Sequence, residues 1–367
     1  MTRAPWIRGP LWDTALLSFP WVPLYLWFVI GLRLGDGGGE VVLLDQRFPA
    51  LTLAILVVLG ITFVHRHYTF VLVYGDAGTF AARARAYVLV PVALFALLAV
   101  IRASSVDVLD RGGMHVGFWE LALASSGTWN VWHTVQQRYG ILRVYAGKAG
   151  HGLEGASHAR RDQRLVWSLV LAVALALLEF RRHAFLGHDV ARRTLIALLP
   201  IIDTTAFDLL AGVLALGVIV MVASWVRAEL AMTLPLRERV PRLTFLASSL
   251  ALLSVFVLHG PIVGYLTFGA AHALEYIAFV HHFGERKFDA LPEVQSVAAR
   301  LLRRPALAAP LLGGVLLAAY VLLQPIADSD AFLVYYVGSS MLHFLYDGWI
   351  WKVRKPEVAL PLGAATA

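Results

Sequence analysis

The 367-residue chain contains no cysteine. Disulfides, iron–sulfur clusters, thiolate-ligated haem and cysteine nucleophiles are therefore excluded together, and any metal has to be held by nitrogen and oxygen ligands. Charge is also scarce. Charged residues make up 15% of the chain and hydrophobic ones 59%, whereas a soluble domain carries about 25% charged residues. No internal repeat is evident, which counts against a transporter built from inverted repeats. No small-residue cleavage site follows the first apolar stretch, so that stretch reads as a signal anchor.

What is present is a series of apolar runs of roughly 17–25 residues, long enough to cross a hydrocarbon core. They predict an all-α fold: a polytopic membrane helix bundle of about ten transmembrane helices, forming a single integral membrane domain over residues 1–367. The expected spans are 14–34, 51–74, 86–102, 116–142, 165–180, 207–226, 243–259, 261–282, 306–325 and 331–351. The N-terminus, the tail and loops 75–85, 143–164, 227–242 and 283–305 hold 21 Lys and Arg, against 8 in the opposite loops. Cytoplasmic loops carry the basic excess of a membrane protein, so both termini are expected in the cytoplasm and the net charge of +7 needs no nucleic acid partner. The expected location is a bacterial inner (cytoplasmic) membrane. The amphipathic stretch Arg182–Leu199 reads as a helix lying in the outer interface.

Seven histidines fall on the apolar segments: His65, His67, His133, His272, His281, His282 and His343. Ionisable residues inside a bilayer are costly, rare and usually functional. Counted at helical rise, His65, His133, His272 and His343 lie roughly 13–21 Å from the cytoplasmic boundary. Helical phase groups them with other polar side chains. Asn130, His133 and Gln137 share one stripe; His272, Glu275 and His282 share another; Tyr336, His343 and Asp347 share a third. In FVHRHY, by contrast, a straight helix turns His65 and His67 to different faces, with Arg66 between them. Trp129 and Trp132 flank His133 closely enough to wall a cavity. The seven histidines are thus candidate metal ligands. Glu275 and Asp347 are candidate catalytic groups, and Asn130, Gln137, Trp129 and Tyr336 are candidate substrate-lining or supporting residues. Imidazole suits iron, copper, zinc and nickel, and a His-rich site with few carboxylates points first to iron. The ligand count leaves one and two ions open.

Inward-facing histidines on several spans, with a His–His pair at 281–282, resemble the histidine-rich integral membrane oxygenases. These are the membrane fatty acid desaturases and hydroxylases, and the carotene-cleaving dioxygenases of the Brp/Blh type. Desaturases show boxes of the HxxxH and HxxHH kind; here the pair follows Phe279 and Val280, and the first cluster is HxH. The resemblance implies non-haem iron acting with dioxygen on a lipid-soluble substrate, by hydroxylation, desaturation or oxidative cleavage. It also implies a reductase or ferredoxin docked on the basic cytoplasmic face. Two other readings fit the same residues: a haem b held by two histidines, His133 and His343 first, or a proton or metal-ion transporter using the His, Glu and Asp side chains as a relay.

Overall fold

A computed structural model describes residues 5–36, 38–43, 45–104, 107–111, 114–149, 155–180, 204–353 and 355–364. Apolar runs close their backbone hydrogen bonds within helices, and the fold is 82% helical. The main helices are α1 (Pro10–Ser18), α2 (Val22–Gly31), α3 (Ala50–Tyr74), α4 (Ala84–Ala103), α5 (Phe118–Lys148), α6 (Gly155–Phe180), α7 (Thr205–Leu230), α8 (Leu236–Asp289), α9 (Pro305–Leu322) and α10 (Asp330–Ile350). Side-chain caps set two of the starts: Thr204 Oγ1 accepts from the Phe207 amide of α7, and Ser329 Oγ from the Phe332 amide of α10 (both 3.2 Å). Two antiparallel hairpins, β1 (Glu40–Leu43) with β2 (Gln46–Pro49) and β3 (Asp107–Arg111) with β4 (Met114–Gly117), occupy segments expected to be plain loops.

Among the described residues, five helices are long and apolar enough to cross a membrane: α3, α4, α7, α8 and α9. The pair α1 and α2, bent by 47° where Pro20 lacks an amide hydrogen, makes a sixth if it acts as one span. The expected spans on α5 and α10 fall on helices that are long but too polar to qualify, and the span expected at 165–180 is the apolar part of α6. His133, Gln136, Gln137 and Arg138 interrupt α5; Arg160, Arg161, Asp162 and Arg164 open α6; Ser339, Ser340, His343 and Asp347 punctuate α10. The stretch Arg182–Leu199 lies outside the described residues.

The 54 residues of α8 are not one rod. Gly260 has φ 86° and ψ 172°, and Pro261 follows it. A residue before proline is pushed out of the helical region, and this particular conformation is essentially glycine's alone. Phe256 and Phe268 would stand about 18 Å apart along a continuous helix. Their rings are 5.9 Å apart, so the chain reverses at Gly260 and α8 is a helical hairpin. A Cβ on Gly264 would collide with the Phe256 ring, which explains the small residue at that crossing. The break falls at the boundary expected between 243–259 and 261–282.

The chain forms two compact units. The first comprises Met1–Val58, Gln137–His272 and Gly363–Ala367. Its apolar core is Phe28, Leu32, Ala50, Ala54, Val58, Leu266 and Ala270. It also contains a buried ion network. Fully buried Arg242 bonds to Asp162 and, at 2.5 Å, to Glu229. Arg143 and the Trp225 indole complete the shell of Asp162 at 2.8 and 3.0 Å, and Arg239 bonds to the Glu229 carbonyl at 2.6 Å. The network joins residues of α5, α6, α7 and α8.

The second unit comprises Leu59–Gln136 and Ala273–Leu362. Val64, Tyr68, Leu72, Tyr276, Val280 and Phe288 form one apolar cluster, and Val73, Tyr87, Leu342 and Tyr346 another. α4 approaches α10 so closely that a Cβ on Gly338 would collide with the Phe95 ring. This unit carries most of the candidate residues.

Candidate metal centre

In the second unit α3 supplies His65 and, one turn on, Thr69; α5 supplies His133; α8 supplies Tyr276; and α10 supplies His343 and, one turn on, Asp347. All six side chains are buried. The Nε2 atoms of His65 and His343 are 3.1 Å apart, and their rings meet edge to face at 4.6 Å. Asp347 Oδ2 lies 3.5 Å from His133 Nε2 and 3.8 Å from His343 Nε2. The ligand atoms of His133, His343 and Asp347 all fall within 4.8 Å of one another. Donors bonded at about 2.0–2.2 Å to a tetrahedral ion stand about 3.3–3.6 Å apart. The observed separations within His133, His343 and Asp347 are compatible with a single first-row metal ion, and His65 stands against His343.

Hydrogen bonding is compatible with the tautomer that such a role requires. His343 Nδ1 lies 2.7 Å from Thr69 Oγ1. The Thr69 hydroxyl donates to Asp347 Oδ1 at 3.0 Å, and the Tyr276 hydroxyl donates to the same oxygen at 2.7 Å. With the threonine proton used on the carboxylate, its lone pair accepts the proton of His343 Nδ1. The lone pair of His343 Nε2 then points at His65, His133 and Asp347. The two carboxylate oxygens are divided in the same way: Oδ1 takes the hydroxyls, and Oδ2 faces the imidazoles. Trp351 Nε1 approaches the Tyr276 hydroxyl at 3.4 Å, adding an outer support. A buried carboxylate among neutral rings is costly unless paired or metal-bound.

The other candidates make the following contacts. α3 is a regular helix through His65, Arg66 and His67, so the three side chains part. His67 is engaged at both ring nitrogens, with the Phe63 carbonyl (2.6 Å) and the Tyr335 hydroxyl (2.5 Å). Arg66 donates to the Tyr336 carbonyl (2.8 Å) and Ser339 Oγ (3.2 Å) of α10, and covers the Tyr336 ring at 3.9 Å. The Tyr336 hydroxyl meets Thr62 (3.1 Å), two helical turns before the His343 level. His281 Nε2 meets the Tyr68 hydroxyl at 2.9 Å. Glu275 and His282 are buried on α8, and Asn130 precedes His133 by one turn of α5. His272 is buried in the first unit, where the Gln137 amide donates to its backbone carbonyl at 3.3 Å. Trp129 packs on Phe344 (5.7 Å), and Phe344 in turn on the His133 ring (4.9 Å).

Sequence reading missed Thr69 and Tyr276. Thr69 carried a usable signal, standing four residues after His65 and so on its face. Tyr276 was overshadowed by the neighbouring Glu275, whose charge made it the more conspicuous candidate. No family model matches the chain, and neither a curated protein nor a solved structure matches it.

Proposed function

We propose that the chain is a membrane-embedded metalloenzyme in which His133, His343 and Asp347 hold one iron ion, with His65 packed against His343. The reaction is hydroxylation, desaturation or oxidative cleavage of a lipid-soluble substrate. The observation that carries this reading is the convergence of His133, His343 and Asp347, whose ligand atoms lie within 4.8 Å of one another, with Asp347 Oδ2 3.5 and 3.8 Å from the two imidazole nitrogens. Two histidines and a carboxylate with open positions are the donor set typical of non-haem iron oxygenases. Iron bound there supplies the activation of dioxygen. The chain's own residues do the rest. Thr69 fixes the proton on His343 Nδ1, Tyr276 holds a proton against Asp347 Oδ1, and the apolar surroundings keep bulk water out. That His67 and His281 are engaged with tyrosine hydroxyls favours one ion over two.

The wider reading goes with this proposal. It takes the chain to have about ten spans, counting both legs of α8 with α5, α6 and α10, and both termini in the cytoplasm of a bacterial inner membrane, a reading supported by the basic excess of the loops on that side. The basic loops on that side dock a reductase or ferredoxin. Haem b is the weaker alternative. Axial imidazoles on opposite sides of one iron hold their ring centres about 6 Å apart, whereas those of His133 and His343 are 4.9 Å apart and Asp347 Oδ2 lies close to both. A proton or metal-ion relay is the other alternative, and nothing in the centre favours it specifically.

Metal analysis of detergent-purified protein tests the proposal. Near-stoichiometric iron without a Soret band is expected, and His133→Ala or His343→Ala should lose most of it while still inserting. Variants that retain the wild-type metal content would overturn the assignment.

A further inference from the structure

In a chain without cysteine, tyrosine and tryptophan are the side chains most readily oxidised by one electron. Two of them lead away from the candidate centre within the second unit. Tyr276 of α8 is 2% exposed, and its ring lies 5.2 Å from that of His343 and 5.7 Å from that of His65. Its hydroxyl donates to Asp347 Oδ1 at 2.7 Å, so a base is already in place for the phenolic proton. Trp351, directly after α10, comes next. Its ring meets that of Tyr276 edge to face at 6.2 Å, and its Nε1 approaches the same hydroxyl at 3.4 Å. Phe279 and Phe283 of α8 flank the indole at 5.3 and 4.9 Å. Trp351 is half-buried and precedes the exposed Lys352. The pair thus runs from the surroundings of His343 and Asp347 to the protein surface.

We propose that Tyr276 and Trp351 form a two-step electron path between the surface and the metal centre, discharging oxidising equivalents that no substrate consumes. The inference rests on the metal-centre reading and adds the role of these two side chains. In the first step Tyr276 gives one electron to the centre and its phenolic proton moves to Asp347 Oδ1, leaving a neutral tyrosyl radical. In the second, Trp351 gives one electron to that radical, the proton returns from Asp347 to the Tyr276 oxygen, and the indole is left as a radical cation. A one-electron donor at the surface, ascorbate or a ferredoxin, then refills Trp351. The sum is one electron passed inward with no bond of the protein changed. The flanking phenylalanines are too hard to oxidise to take part.

Freeze-quench EPR of detergent-purified protein tests this, with hydrogen peroxide as oxidant, no organic substrate, and iron measured in each sample. Per bound iron, wild-type protein should form a tyrosyl radical that Tyr276→Phe lacks, and ascorbate should remove it quickly. Trp351→Phe should keep its iron and form the same radical, but the radical should decay several-fold more slowly in ascorbate. Trp351→Tyr, which restores an oxidisable ring, should recover much of the rate. A role for Trp351 in packing alone predicts equal decay. Equal decay in wild type and Trp351→Phe, or no Tyr276-dependent radical in either, in protein holding its iron, overturns the path and leaves the centre standing. Wild-type protein that binds no iron overturns the centre and the path together.

Discussion

Thr69 has one hydroxyl and three polar neighbours: His343 Nδ1, Asp347 Oδ1 and the Tyr276 hydroxyl. Valine has nearly the same shape, so Thr69→Val tests the hydroxyl and little else. Outer-shell partners of metal-bound histidines are commonly worth about 10–100-fold in affinity. We expect Thr69→Val to weaken metal binding by about that factor and Thr69→Ser to restore it, read by competition with a calibrated chelator. At this scale the sequence was informative where residue type and spacing coincide. His133, and His343 with Asp347 four residues on, were visible as polar positions on apolar helices. What spacing could not reveal was which polar neighbour each ring meets. His67 and His281 have the same chemistry as His65, and only the packing of Tyr335 and Tyr68 against them separates their roles.

At the scale of elements, the reversal in α8 follows from two adjacent residues. Gly260 accepts a backbone conformation closed to other residues, and Pro261 starts the second leg without needing an amide partner. Gly260→Ala should cost about 1–3 kcal/mol, measured by reversible unfolding in detergent, because its φ of 86° strains any side chain. The Gly-Pro break was legible, as were the apolar helices α3, α4, α7 and α9. The two β-hairpins were not, because short strands in loops carry too few residues for a period to register. α5 and α10 differ from the apolar helices in composition: His133, Gln137, His343 and Asp347 lower the mean hydropathy of the two helices.

At the scale of the whole molecule, ionisable groups away from the centre tie distant segments together. Asp76, just after α3, accepts from Lys287 at 2.7 Å and from Thr79 at 2.7 Å. Burial pushes its carboxyl up, but the hydrogen bonds and the Lys287 charge outweigh that and hold it below the usual carboxylate value. A depressed folded-state pKa means that the unfolded chain takes up the proton first. The stabilisation is therefore complete above the ordinary carboxylate pKa, about 3.9, and fades as the pH falls through the lower folded value. Asp76→Asn should melt earlier than wild type at pH 6 and show a flatter loss of melting temperature towards pH 3, measured by thermal unfolding. Equal acid slopes in the two proteins would count against this linkage.

The three consecutive residues at the middle of α3 have a mechanical consequence. His65 reaches His343, Arg66 reaches the backbone of α10 at Tyr336, and His67 reaches Tyr335, so one short stretch is fastened at three azimuths. Rotating this helix about its axis, or sliding it by a single residue, breaks all three attachments at once. It therefore behaves as a fixed bolt and not as a piston, and any motion there has to come from pivoting side chains around it.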